Sequence, residues 1–162
     1  MGSEEAVRLR AVLDRMVKEK EIAAAFFGRM AESLEEVDQR RSFRRMAQDE
    51  KDQRKILMKH RRELCGNVPT TLPVVVSGLH DRLVKIARGQ EPGLEEALGL
   101  AIRSADEAFG ACGRVAEMVS DRSFRIFLKI LAAESQTHRA ELLKTLRRVE
   151  RERKNEVEEI AA

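Results

Sequence analysis

The strongest constraint on the fold is a helix-spaced apolar stripe that polar side chains interrupt. In the run Ser42 to His60, SFRRMAQDEKDQRKILMKH, and just beyond it, Phe43, Met46, Glu50, Gln53, Leu57, His60 and Leu64 follow one another at steps of three and four. That spacing is one face of an α-helix, and it predicts that Glu50 and Gln53 point inward with their apolar neighbours. A carboxylate in a core costs several kcal/mol unless a cation, a metal or several donors answer it. Whatever this chain folds into must therefore supply a partner for Glu50.

The surrounding composition favours helices over sheet. Charged residues make up 36% and hydrophobic residues 43%, with only 3 Pro and neither Trp nor Tyr, so the expected class is all-α. At 162 residues the chain is read as one domain, 1–162. No stretch approaches the roughly 18 uncharged apolar residues of a membrane span, and MGSEEAVRLR lacks the apolar centre of a secretion signal. A cytoplasmic protein with no membrane partner is expected. Cys65 and Cys112 are isolated, which predicts reduced, partly buried thiols rather than a zinc knuckle or a disulfide framework. The 31 basic and 28 acidic residues leave a net charge of only +3. The basic runs RRSFRR and KHRRE read as solvated helix faces, and with few aromatic residues beside them nucleic-acid binding is not expected.

In chain order, a first helix is expected from about Glu4 to Leu34, with an inward stripe of Leu9, Leu13, Met16, Lys20, Ala23, Phe27, Met30 and Leu34. A second runs to about Cys65, closed by Gly66 and Pro69, which makes a helical hairpin of 4–65. The connection 66–93 contains the extended run VPTTLP and a short helix from about Val75 to Arg88, and its length lets it cross one end of a bundle. Its His80 is expected to be exposed or hydrogen-bonded. The second hairpin, 94–150, starts near Pro92. Its seams are Leu94, Leu98, Ala101, Ala105, Ala108, Cys112, Val115 and Val119, then Phe124, Leu128, Leu131, Ser135, His138, Leu142, Thr145 and Val149, with a turn at Ser120 and Asp121. Residues 151–162 read as a charged, solvated helical tail.

The two hairpins are related by repetition. Ala31-Glu32 recurs as Ala116-Glu117, Ala47 as Ala132, Leu57 as Leu142 and Lys59 as Lys144, always 85 residues on (116 minus 31, and likewise throughout). The same offset pairs Lys20 with Ala105, Glu50 with Ser135 and Gln53 with His138. The polar breaks at Lys20, Glu50, Gln53, Ser135 and His138 then fall in two adjacent layers.

The segments KEKEIAAAFFGRMAES, SFRRMAQDEKDQRKILMKH, LEEALGLAIRSADEAFGACGRVAE and LKILAAESQTHRAELL resemble the helices of the rubrerythrin-like branch of the ferritin-like superfamily over nearly the whole chain. The resemblance implies a ferritin-like four-helix bundle with a long connection between its second and third helices. In that family two irons sit inside the bundle, held by one Glu from each of two helices and a Glu-x-x-His from each of the others. Carried over position by position, those ligands are Lys20, Glu50, Gln53, Ala105, Ser135 and His138, of which only Glu50 and His138 keep metal-binding chemistry. The implied di-iron centre is therefore degenerate.

A physical reading accompanies the loss. Lys20 places an ammonium where the family holds cations, so a buried Lys20-Glu50 pair is expected in place of the metals, with Gln53, Ser135 and His138 satisfying what remains. No cofactor is then expected, and the function class is a non-redox interaction or scaffold protein. The alternative is a rubrerythrin-type iron-binding oxidoreductase, in which Glu50 and His138 hold iron or another divalent metal with help from Glu19, Glu21, Asp49, Glu107 and Glu134. Those acids are read mainly as partners of flanking Lys and Arg, because a one-residue shift turns a side chain about a quarter-turn off the seam. His60, near a helix end, is expected to snorkel or cap carbonyls. A homodimer with a further protein partner is expected, on the strength of apolar flanks such as Phe26, Phe109 and Phe127.

Overall fold

The computed structural model describes residues 2–70, 78–90 and 93–162. Within them are five helices: α1 Ser3–Ser33, α2 Val37–Cys65, α3 Gly78–Ala87, α4 Leu94–Met118 and α5 Arg122–Ala161. Each starts or stops where local chemistry dictates. Gly66 ends α2 at φ 50°, a left-handed conformation that costs glycine nothing, and its N–H closes on the Arg62 carbonyl. Asp121 opens α5 by accepting a 2.7 Å hydrogen bond from the Phe124 N–H. The expected start of the short helix at Val75, part of the VPTTLP run and Pro92 lie outside the described residues.

The four long helices form a bundle of two hairpins, α1 against α2 and α4 against α5, while α3 lies mainly on α1. Ion pairs give the directions. Lys20 meets Glu50 and Asp14 meets Arg61, so α1 and α2 are antiparallel. Asp106 meets Arg139 and Glu95 meets Arg153, so α4 and α5 are antiparallel. Asp49 with His138 and Arg45 with Glu141 set α2 antiparallel to α5. It follows that α2 and α4 run the same way, and the 66–93 connection has to return the chain along the bundle before α4 begins.

The core is divided in two. One apolar cluster gathers Ile22, Phe26, Phe27 and Met30 of α1 and Leu34 just beyond it, Phe43, Met46 and Ala47 of α2, Leu98, Leu100 and Ile102 of α4 and Leu142 of α5, with Leu83 and Ile86 of α3 closing its side. The other gathers Leu9, Leu13, Met16 and Val17 of α1, Leu57 and Cys65 of α2, Cys112 and Val115 of α4, and Phe124, Phe127, Leu128 and Leu131 of α5. Lys20, Glu50, Gln53, Ser135 and His138 lie between them in sequence on each helix and are all buried. The polar layer is thus a cross-section of the bundle with an apolar half on either side.

Several side chains depart from the sequence reading. Asp14, six residues before Lys20, is also buried. Arg10 Nε lies 3.1 Å from both of its oxygens, Arg61 Nη1 donates at 2.7 Å and Thr70 Oγ1 at 3.1 Å, so this carboxylate ties α1, α2 and the start of the connection together. His60 neither snorkels nor caps: its ring lies 4.9 Å from that of Phe124 and stacks at 5.2 Å on Phe127, because α5 closes over the end of α2. Phe26 and Phe127, expected on apolar flanks, are core residues, and of that trio only Phe109 is exposed. The tail is helical to Ala161 and exposed throughout 150–162. No described helix is long and apolar enough to cross a membrane.

The Asp14 cluster is testable against an exposed control. Asp14→Ala strands two guanidinium groups and should cost about 2–3 kcal/mol, lowering Tm by about 5–10 °C in a chain of this size. Lys154→Ala removes only a solvent-exposed pair with Glu158 and should leave Tm unchanged in the same calorimetric comparison.

Candidate functional site

The buried layer is built from one or two residues of each of three long helices, α1, α2 and α5. Periodicity turns Lys20 of α1, Glu50 and Gln53 of α2, and Ser135 and His138 of α5 toward the bundle axis, and none is more than 7% exposed. Opposite them α4 presents only small side chains, Ala101, Ser104, Ala105, Ala108 and Ala111. The missing bulk leaves a cavity of about 30 Å³ lined also by Lys20, Glu50, Ser135, His138 and Cys112. That is space for one or two water molecules, against the several hundred Å³ that an organic ligand occupies.

Lys20 Nζ stands 3.0 Å from Glu50 Oε2, both side chains 8% exposed. The contact is an ion pair whose angles fall short of a hydrogen bond, so Oε2 has no hydrogen-bond partner. The other oxygen of Glu50 lies 3.6 Å from His138 Nδ1, and His138 Nε2 lies 3.0 Å from Asp49 Oδ2. The Phe27 ring stands edge-on to the imidazole at 6.2 Å. A continuous line of charge therefore runs from Lys20 through Glu50 and His138 to the partly exposed Asp49.

Gln53 and Ser135 lie in the layer but do not join that line. Gln53 Nε2 donates to Glu134, and Ser135 Oγ donates 2.9 Å to the Leu131 carbonyl of its own helix. Two acids read as solvated flank partners, Asp49 and Glu134, thus reach the buried layer, because a carboxylate beside the seam needs only its own length to lean across the α2–α5 gap. Glu19 and Glu21 do pair with flanking cations, Arg15 and Lys18.

His80, read from the sequence as exposed or hydrogen-bonded, is not exposed. It is only 2% exposed and lines the cavity, with Nδ1 3.9 Å from Glu19 Oε1 and 3.7 Å from Glu107 Oε2. The signal was present in α3, where His80, Leu83 and Ile86 share the buried face. A short amphipathic helix has to dock that face somewhere, and docking it on α1 carries the histidine in.

The electrostatics follow from burial and charge together. Burial alone would raise the Glu50 pKa, but the Lys20 ammonium and His138 outweigh it and hold the carboxyl below its usual range. Burial would lower His138, and the Glu50 and Asp49 carboxylates outweigh that and raise it. An imidazolium with one N–H toward each carboxylate balances the line, two positive groups against two negative. Both thiols are pushed up, chiefly by burial, so neither Cys65 nor Cys112 is a ready nucleophile at neutral pH.

The donor set does not fit the di-iron centre that the resemblance implies. Lys20 and Ala105 stand at two carboxylate positions, Gln53 and Ser135 at two more ligand positions, and the Glu50 carboxylate already faces an ammonium. Among the described residues no group of three or more His, Cys, Asp or Glu is arranged to hold a metal ion.

No known family model and no curated protein matches the chain. Among solved structures it is similar to a hypothetical protein from Pyrococcus furiosus, with 15% sequence identity, a TM-score of 0.68, and coverage of 86% of this chain and 88% of the other. At that identity the likeness is one of fold.

The charge line makes stability depend on pH in a defined direction. The His138 contribution is fully present below about pH 6.5 and is lost as pH rises through its raised folded value. The Glu50 contribution, from a lowered pKa, is present at higher pH and lost as pH falls through that folded value. By chemical denaturation, wild type should exceed His138→Gln by more at about pH 6 than at about pH 9; an equal margin would contradict the pairing.

Proposed function

We propose that this chain is a ferritin-like bundle that has exchanged its di-metal centre for a buried ion pair and works as a non-redox interaction or scaffold protein. The observation that carries the reading is Lys20 Nζ at 3.0 Å from Glu50 Oε2, both buried, at the level where metals would otherwise supply the positive charge. Three further points support it. The helix directions and the long 66–93 connection suit a ferritin-like bundle, which needs its second and third long helices to run the same way. The cavity beside the pair is water-sized, which leaves no room for an organic substrate. The two thiols are raised by burial, which removes them as nucleophiles.

The iron-binding alternative asks for ligands that are already committed elsewhere. Glu50 faces Lys20, Asp49 faces His138, Glu134 accepts from Gln53 and Glu19 accepts from Arg15. To bind metal, this layer would first have to expel an ammonium and break several of these contacts.

Metal analysis by mass spectrometry, on protein as purified and again after anaerobic Fe(II) loading and desalting, tests the reading directly. No retained iron is expected. Near-stoichiometric iron that disappears in Glu50→Ala or His138→Ala would replace the proposal with a rubrerythrin-type oxidoreductase, and turnover of peroxide or oxygen would be assayed next.

The ion pair has its own test. Lys20→Met strands the Glu50 carboxylate and should remove about 3–5 kcal/mol of stability. Adding Glu50→Leu removes the stranded charge and should restore most of that loss, because a buried pair replaced by apolar groups of similar size is often neutral or stabilising. An unchanged Tm for Lys20→Met would sink the pairing.

A further inference from the structure

An uncharged stripe runs along the outer face of α5. Ser123, Ile126, Ile130, Ala133, Thr137 and Ala140 are all exposed, the two isoleucines 50% each. They follow at steps of three and four, the a and d spacing of a coiled coil, over roughly 25 Å of helix. In a chain with 36% charged residues, six outward positions in succession without a charge are a marked departure. Even the threonine is muted, since Thr137 Oγ1 donates 3.2 Å to the Ala133 carbonyl and so turns its hydroxyl back onto its own helix. Ile56 of α2 is also exposed. The contacts of Asp49 with His138 and Gln53 with Glu134 set it level with Ile130, so it widens the patch.

We propose that this face is where a second copy of the chain docks, with the two α5 helices side by side and parallel. The flanking charges select both the partner and its direction. Positions just before the a sites are Arg122, Lys129 and Gln136; positions just after the d sites include Glu134 and Glu141. Parallel helices bring the first flank of one copy against the second flank of the other and set Lys129 toward Glu134, five residues on. Antiparallel helices would set each flank against its own kind, bases on bases and acids on acids. Lys129 has no ion-pair partner among the described residues, and Glu134, which accepts from Gln53 through Oε2, has a second oxygen to offer. Ala133 at the centre lets the two backbones approach closely. This surface lies outside the buried layer, so the proposal stands without the ion-pair reading of that layer.

Sedimentation velocity on the intact chain, up to about 100 μM where weak dimers assemble, should show a dimer. Ile130→Glu should reduce it to the mass of one chain with unchanged helicity, because Ile130 is exposed in the single chain. Phe109→Glu, on the exposed part of α4, should leave the dimer intact. Ala133→Cys should form a disulfide-linked dimer on mild oxidation, since parallel pairing puts each Ala133 opposite its counterpart and both native thiols are buried. A wild type that stays monomeric, or an Ile130→Glu variant that still dimerises, overturns the docking face. A dimer that Ala133→Cys fails to link overturns the parallel arrangement.

Discussion

The contact on which the rest of this structure depends is the ion pair between Lys20 and Glu50. Neither charge is tolerable alone at that depth: the desolvation of each is several kcal/mol and is offset only when the other is present. Because the pair lies between two apolar clusters, it also acts as a gauge of alignment. Sliding α1 past α2 by one turn, roughly 5.4 Å, would set an ammonium against methyl groups and a carboxylate against nothing. His138 extends the same logic to α5, since its two ring nitrogens face carboxylates from adjacent positions of α2.

The fourth helix contributes by what it lacks. Where α1, α2 and α5 carry charged or polar side chains, α4 carries alanines and a serine, and the small cavity is the direct result. With Ala105 there is no second seam carboxylate across the bundle from Glu50, so one ammonium is enough to balance the centre of the layer. The fold likeness to the Pyrococcus furiosus protein at 15% identity makes the same point from outside. A bundle of this kind asks for apolar residues at helical spacing and a connection of sufficient length, and many sequences meet that requirement with few residues in common.

The outer surface is organised by different physics from the interior. Most charges on the helices pair within one turn or across a neighbouring helix, contacts worth a few tenths of a kcal/mol each that keep the bundle solvated. The uncharged line on α5 breaks that pattern without adding anything to the core. The six uncharged positions in heptad spacing are what the proposed second copy would cover.

The interior seams were legible in the sequence because helical periodicity is a local property: Glu50 and Lys20 had to point inward whatever the neighbouring helices did. All eight residues of the stripe from Leu9 to Leu34 are buried, and the constant 85-residue offset by itself puts Lys20, Glu50, Gln53, Ser135 and His138 at one level. Periodicity does not say which side chains lean in from the flank, so Asp49 and Glu134 were read as surface acids. Nor does it show where a short helix docks, how a helix end is covered, or which loop residue reaches a buried carboxylate, so His80, His60 and the Asp14 cluster emerged only when the hairpins were brought together. Pairing within a helix depends on residue spacing alone. Pairing between helices depends on their separation and direction, and these are set only when both apolar clusters have packed.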